Sequence, residues 1–377
     1  MMAAQSVRQP GADPHKEANM KQPLLGIAAT VLVVAVSLGF ISLFAFPIFA
    51  NWVAFLTICF IPIQIVTSVT WGCEHPGFAA TRSQPAKGIL LTLLALVVGA
   101  IVAAVHFMTV GGGINPPPPM LAMCIIASVV IMFWLAIMWG GWPFDKLIKN
   151  RLGAGFAMLA ACYIINYVLF RLLFDYGFMK GAPVYVASLD PHGLFNAWNV
   201  LVFYVTVTAV MFLSLNFDLW PFTVSPALMK QPVLGFVWTT VALAVGGLAF
   251  YVGVDVIGMD VVSFMVRVPI PFIFGTIVVL NMMHGSLFGK FAQPLKGVLN
   301  ALASGVIGVA LALLYGALAP MVTGAVKPGP PGYDFEIWLA SALLAVTFPF
   351  LIFYAEFFKM WPLHKEQSPA KAVPSGT

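Results

Sequence analysis

Seven polar side chains interrupt the apolar segments of this chain: Gln64, Asn166, Asn281, His284, Asn300, Ser304 and Glu356. Amides, hydroxyls, imidazoles and carboxyl groups are costly in hydrocarbon, so each is a default candidate for meeting a solute, an ion or a proton. Gln64 shares a helical face with Thr67 and Ser68, at three- and four-residue spacing. Asn166 lies close to Tyr163 and Tyr167, and Asn281 and His284 are three apart. Asn300 and Ser304 are four apart and face together near a helix start. Glu356 is the one carboxylate inside an apolar segment, with Lys359 and Lys365 nearby. Each has a plainer role beside the functional one. Amides bridge helices at about 0.6–2 kcal/mol per hydrogen bond. His284 fits an interfacial position, and Glu356 a solvated or ion-paired one. As a set they form a candidate solute pathway, lined in part by Asn166, Asn300 and Ser304, and not a catalytic centre.

No other residues have the spacing of an enzyme site. The Gly-x-Ser-x-Gly nucleophile elbow, the Gly-x-x-x-x-Gly-Lys-Ser/Thr phosphate loop and the Gly-x-Gly-x-x-Gly dinucleotide fingerprint are all absent. Gly111-Gly112-Gly113 follows a helical segment and precedes prolines, so it is no phosphate cradle. The patterns His-x-x-x-His, Glu-x-x-His and clustered carboxylates, which hold metals, do not occur. A haem between two imidazoles needs both at one depth on facing helices. His106 shares its side of the membrane only with His192, which falls in a loop. No metal or other cofactor is therefore expected. Cys59, Cys73, Cys124 and Cys162 make no Cys-x-x-Cys pair, and three lie in apolar segments; they read as small core residues.

The elements that must carry these residues are membrane helices. Of 377 residues, 61% are hydrophobic and 8% charged, against about 25% charged in a soluble domain. That leaves too little polar surface to solvate a globule, and the chain reads as an all-α polytopic membrane protein. The net charge of +5 is scattered over short loops and does not point to nucleic acid. Ten segments are long and apolar enough to span, at roughly 24–45, 50–71, 88–110, 119–140, 152–174, 197–217, 232–254, 264–284, 297–320 and 335–358. Residues 1–21 form a polar tail with no signal-peptide pattern, and 364–377 a second one. With both termini inside, only Arg171, Lys180, Arg267 and Lys327 of the eighteen Lys and Arg fall outside. The positive-inside bias therefore supports ten helices with cytoplasmic ends.

Short motifs recur at one side of this membrane domain, 22–363. Gln22-Pro23, Gln84-Pro85, Gln231-Pro232 and Gln293-Pro294 each stand four residues before a glycine, and Asn150-Arg151-Leu152-Gly153 is a degenerate fifth. Trp142-Pro143-Phe144, Trp220-Pro221-Phe222 and Trp361-Pro362-Leu363 close the units, with looser forms at His75-Pro76 and Phe288–Phe291. These define five parallel two-helix hairpins, about 22–78, 84–144, 150–222, 231–291 and 297–363. Helices with matching motifs on one side cannot belong to an inverted repeat. Small residues at four-residue intervals mark the odd helices, as in Asn300, Ser304, Gly308, Ala312 and Gly316. Even helices are bulkier, as in Met132-Phe133-Trp134. Close packing through small residues suggests an inner set of odd helices and an outer, lipid-facing set of even ones. A permease or channel-like protein for a small solute follows as the leading expectation, in a bacterial inner membrane. An accessory subunit of a larger membrane complex, or an enzyme or redox subunit acting on a lipid or quinone, are the alternatives. The accessory reading expects a pseudo-symmetric bundle without a continuous cavity.

Overall fold

A computed structural model describes residues 20–364. Ten helices carry the fold: α1 Leu24–Ile41, α2 Phe46–Thr70, α3 Ala86–Thr109, α4 Pro119–Met138, α5 Arg151–Leu173, α6 Ala197–Asn216, α7 Val233–Val256, α8 Val261–Met282, α9 Leu295–Val322 and α10 Asp334–Phe357. All ten are long and apolar enough to cross a bilayer, and they fall where the hydropathy of the sequence places them. A two-residue parallel bridge, β1 Phe174–Asp175 with β2 Phe195–Asn196, clasps the long α5–α6 loop. The polar tails lie outside the described residues apart from Met20, Lys21 and His364, and so do Arg8, His15, Lys16, Lys365 and Lys371.

The layering is the reverse of the expected one. In the even helices 56–78% of the apolar 18-residue stretch is buried, and in the odd helices 22–44%. α2, α4, α6, α8 and α10 touch in cyclic order, α10 closing on α2. Each odd helix lies outside this ring in a groove between two even ones: α1 on α8 and α10, α3 on α10 and α2, α5 on α2 and α4, α7 on α4 and α6, α9 on α6 and α8. The helices that pack most intimately in sequence are therefore an even helix and the odd one after it, with α10 and α1 completing the cycle. The small-residue rows do mediate close packing, but on one face only. Asn300, Ser304 and Gly308 of α9 are buried against the ring, while Leu302, Val306, Leu313 and Met321 are exposed on its other faces. A Cβ on Gly308 would overlap the Pro271 carbonyl oxygen, and one on Gly275 the Ser304 carbonyl oxygen, so α8 and α9 meet backbone to backbone. Bulky residues of the even helices fill a ring that is covered on both sides.

Local chemistry explains how both ends of each helix are set. Pro23, Pro85, Pro232 and Pro294 immediately precede α1, α3, α7 and α9, where a missing N–H leaves nothing unpaired. The glutamine before each proline then does two jobs. Its Oε1 accepts from the N–H of Gly26, Gly88, Gly235 or Gly297, four residues on. Its Nε2 donates to a group at the end of an even helix: Met282 O, Phe357 O, Met138 O and Asp218 Oδ2 respectively. At the fifth such junction Asn150 caps α5 through the N–H groups of Leu152 and Gly153, and Trp71 Nε1 donates to Arg151 O. Every odd helix thus starts where an even helix ends, at the Lys/Arg-rich end of the bundle.

The ends of the even helices are equally regular. α2, α4, α8 and α10 finish in a π-helical turn. All five even helices are then followed by two consecutive residues with positive φ: Gly72-Cys73, Gly140-Gly141, Asp218-Leu219, His284-Gly285 and Lys359-Met360. The second residue of each pair donates back into the last turn, to Thr67, Leu135, Ser214, Val279 and Tyr354. These hooks occupy helix carbonyls that would otherwise lack a donor.

Candidate functional site

Three phenylalanines meet inside the ring. Phe133 of α4 packs edge-on against Phe212 of its neighbour α6, with ring centroids 5.4 Å apart. It also meets Phe348 of α10 at 6.0 Å. α4 and α10 are not adjacent in the cycle, so this contact crosses the interior. All three side chains are buried. Aromatic carbon spans the ring interior between α4 and α10 at this level.

A polar seam lies beside this plug. Asn216 is one turn along α6 from Phe212 and is fully buried. Its Nδ2 donates to Phe212 O and to Thr276 Oγ1 of α8, each at 3.2 Å. Its Oδ1 accepts from Ser304 Oγ of α9 at 3.3 Å. Asn300, one turn from Ser304, is 1% exposed, and neither its Oδ1 nor its Nδ2 has a hydrogen-bond partner. An unpaired buried amide is unusual, because leaving it unsatisfied costs about 1–3 kcal/mol. The sequence suggested Asn300 and Ser304 but not Asn216 and Thr276. Asn216 sits at a helix end next to a loop, and a single Thr in an apolar run carries little signal.

The remaining candidates fall elsewhere. Gln64 Nε2 donates to Pro349 O of α10 at 2.7 Å, filling a carbonyl near a proline, and its Oε1 is unpartnered. Asn166 Nδ2 donates to Cys124 O of α4 at 2.9 Å, with its Oδ1 unpartnered. Both face seams between helices. Asn281 and Glu356 come together where α8 and α10 end, at 3.5 Å, and Lys359 Nζ is 3.3 Å from the other carboxylate oxygen. His284 is exposed and is the first residue of the α8 hook, with φ 51°. Histidine tolerates that backbone region better than bulkier residues do.

One cluster escaped the sequence reading because its members are spread over the α5–α6 loop. Asp175, Asp190 and His192 lie at the opposite end of the bundle, with His192 Nδ1 3.4 Å from Asp190 Oδ2 and 3.9 Å from Asp175 Oδ1. Burial pushes the Asp190 carboxyl up, but the N–H groups of His192 and Tyr176 and the Tyr185 hydroxyl outweigh it and hold it below the usual value. Those bonds account for both of its oxygens. Burial pushes the Cys73 thiol up to about 11, so it stays protonated and unreactive at neutral pH.

Comparison with protein-family models, curated proteins and solved structures finds no match. The geometry alone therefore carries the functional reading. The chain is a polytopic integral membrane protein in contact with the lipid bilayer, and its ten spans leave no large domain outside the membrane among the described residues.

Proposed function

We propose that the protein is a channel-like permease for a small solute, built as five parallel two-helix repeats around one axis normal to a bacterial inner membrane. What supports the repeat is the recurrence of the same helix ends: four glutamine bridges and five pairs of left-handed residues. The observation that carries the permease reading is the closed ring of even helices with Phe133 meeting Phe348 across it. A ring of helices around an axis offers a route, and a hydrophobic constriction is a known way to shut one. In this reading the plug is the closed gate. Asn216, Asn300 and Ser304 form a polar seam where α9 packs on α6 and α8 from outside the ring, and Asn281 and Glu356 flank the mouth at the basic end. Gln64 and Asn166 act as struts between helices.

The test is flux into proteoliposomes. Phe133→Ala should raise the entry of small solutes above both the wild type and protein-free vesicles. Folded variant protein with no such rise would sink the reading. The accessory-subunit alternative draws on a different observation, that several buried polar groups stitch outer helices to the ring. A stable complex with another membrane subunit, recovered in mild detergent, would favour it.

A further inference from the structure

The loop joining α4 to α5 concentrates positive charge beside an exposed leucine. We infer that this loop is a docking surface for the headgroup of an anionic phospholipid, with Leu147 seated at the edge of the acyl chains. The inference does not depend on the permease reading. Residues 139–150 are tied to a span at each end, after Met138 and before Arg151, so the loop stays at the membrane boundary. The hook at Gly140-Gly141 and a single helical turn, Phe144–Leu147, fold it back. In that turn the N–H groups of Lys146 and Leu147 donate to Pro143 O. Phe144 packs on the core, and Asp145, Lys146 and Leu147 are left exposed, as are Lys149 and Arg151. Three cations therefore stand against one carboxylate between 145 and 151.

At two other junctions of this end the protein matches its own charges. Lys296 meets Asp218 at 2.7 Å and Lys359 meets Glu356 at 3.3 Å. Lys146 and Lys149 make no ion pair among the described residues, and Arg151 reaches only Glu74, at 3.9 Å with both side chains exposed. Leu147 is 76% exposed. That combination is a poor surface for water and a good one for a lipid interface. The leucine enters the acyl boundary while the lysine stems carry their charge to the phosphates. Trp139 and Trp142, with ring centroids 5.5 Å apart, lie in the same loop, and indoles favour the headgroup level. A zwitterionic headgroup brings no net charge, whereas an anionic one supplies the countercharge that the loop lacks. A free anion such as phosphate would meet the lysines but leave Leu147 in water, so the leucine selects the lipid.

Native mass spectrometry of the full-length chain in mild detergent tests this, with phosphatidylglycerol or phosphatidylcholine titrated in. Wild-type protein should retain phosphatidylglycerol in preference to phosphatidylcholine, and less of it as salt rises. Lys146→Gln combined with Lys149→Gln should weaken that retention about thirtyfold, from about fivefold per lysine at an anionic surface. Leu147→Ser should weaken it as well. Lys230→Gln combined with Lys290→Gln, exposed cations of two other loops at this end, should leave it at the wild-type level. Equal retention of the two lipids, or undiminished retention in the Lys146 and Lys149 double variant, would overturn the inference. An equal loss in the Lys230 and Lys290 double variant would show diffuse charge and overturn the assignment to this loop. Full retention in Leu147→Ser, with inorganic phosphate competing the lipid away, would make this a free-anion site and overturn the lipid as its occupant.

Discussion

Asn300 and Gln84 are both amides near the start of an odd helix, and they predict opposite responses to the same substitution. Gln84 uses both ends of its side chain, accepting from Gly88 N and donating to Phe357 O. Gln84→Leu should lower stability by about 1–2 kcal/mol, the loss of a cap and a tie between helices. Asn300 uses neither end, so Asn300→Leu should leave stability unchanged or raise it by about 1 kcal/mol. Thermal unfolding of the two variants in one detergent reads the contrast directly. At the opposite end of the bundle, Asp190 has its carboxyl held low by hydrogen bonds to the ionised form. A depressed carboxylate contributes stability that is complete above its unfolded pKa of about 4 and is lost as pH falls through its folded value. Asp190→Asn should therefore flatten the acid limb of a stability-versus-pH curve while leaving the alkaline limb alone. Asn216 and Thr276 escaped the sequence, whereas the polar identities of the other candidates were legible in it. Their partners were not, because Pro349 O and Cys124 O are backbone groups on distant helices. No pattern of residue types announces a free carbonyl.

The helix ends show where element-scale signals succeed and where they stop. Gln-Pro before a glycine marked the starts of odd helices, and the bonding of all four glutamines gives that motif a physical cause. The ends of even helices were only half visible. Gly140-Gly141 is an obvious stop, but Asp218-Leu219 and Lys359-Met360 adopt the same left-handed pair without any glycine. Such residues carry a conformational cost of about 1–2 kcal/mol each, which the surrounding packing must offset. Gly141→Ala should accordingly destabilise the protein by about 1 kcal/mol, and His284→Gly should stabilise it by a similar amount. If His284 is a hook residue and not part of a pathway, the His284→Gly variant also retains wild-type flux. Gly308→Ala should be the more damaging change, since its methyl group meets the Pro271 carbonyl in a backbone contact. A drop of about 1–3 kcal/mol in unfolding measurements is expected from overpacking there.

At the scale of the whole molecule, ten spans followed from composition, but their layering did not. Lipid tails are as apolar as leucine, so hydrophobicity does not distinguish a helix facing lipid from one facing protein. The small-residue rows Ala95, Gly99 and Ala103 of α3 and Asn300, Ser304 and Gly308 of α9 were real packing faces. Their helices nonetheless expose the rest of their circumference, as with Leu93, Val97, Ile101, Leu302, Val306 and Leu313. A carbene label confined to the lipid phase should therefore mark α1, α3, α5, α7 and α9 in preference to the even helices; the opposite distribution would refute the layering. The central claim is stricter: the even helices enclose one axis, and aromatic side chains close it. It is tested most directly by joining Phe133→Cys to Phe348→Cys with a short bifunctional thiol reagent in native membranes, with a Cys59, Cys73, Cys124 and Cys162-free background as the host. The account predicts an intramolecular link between α4 and α10, together with solute flux that rises before linking and falls after it. Two cysteines that react singly but never join, in folded protein, would contradict it.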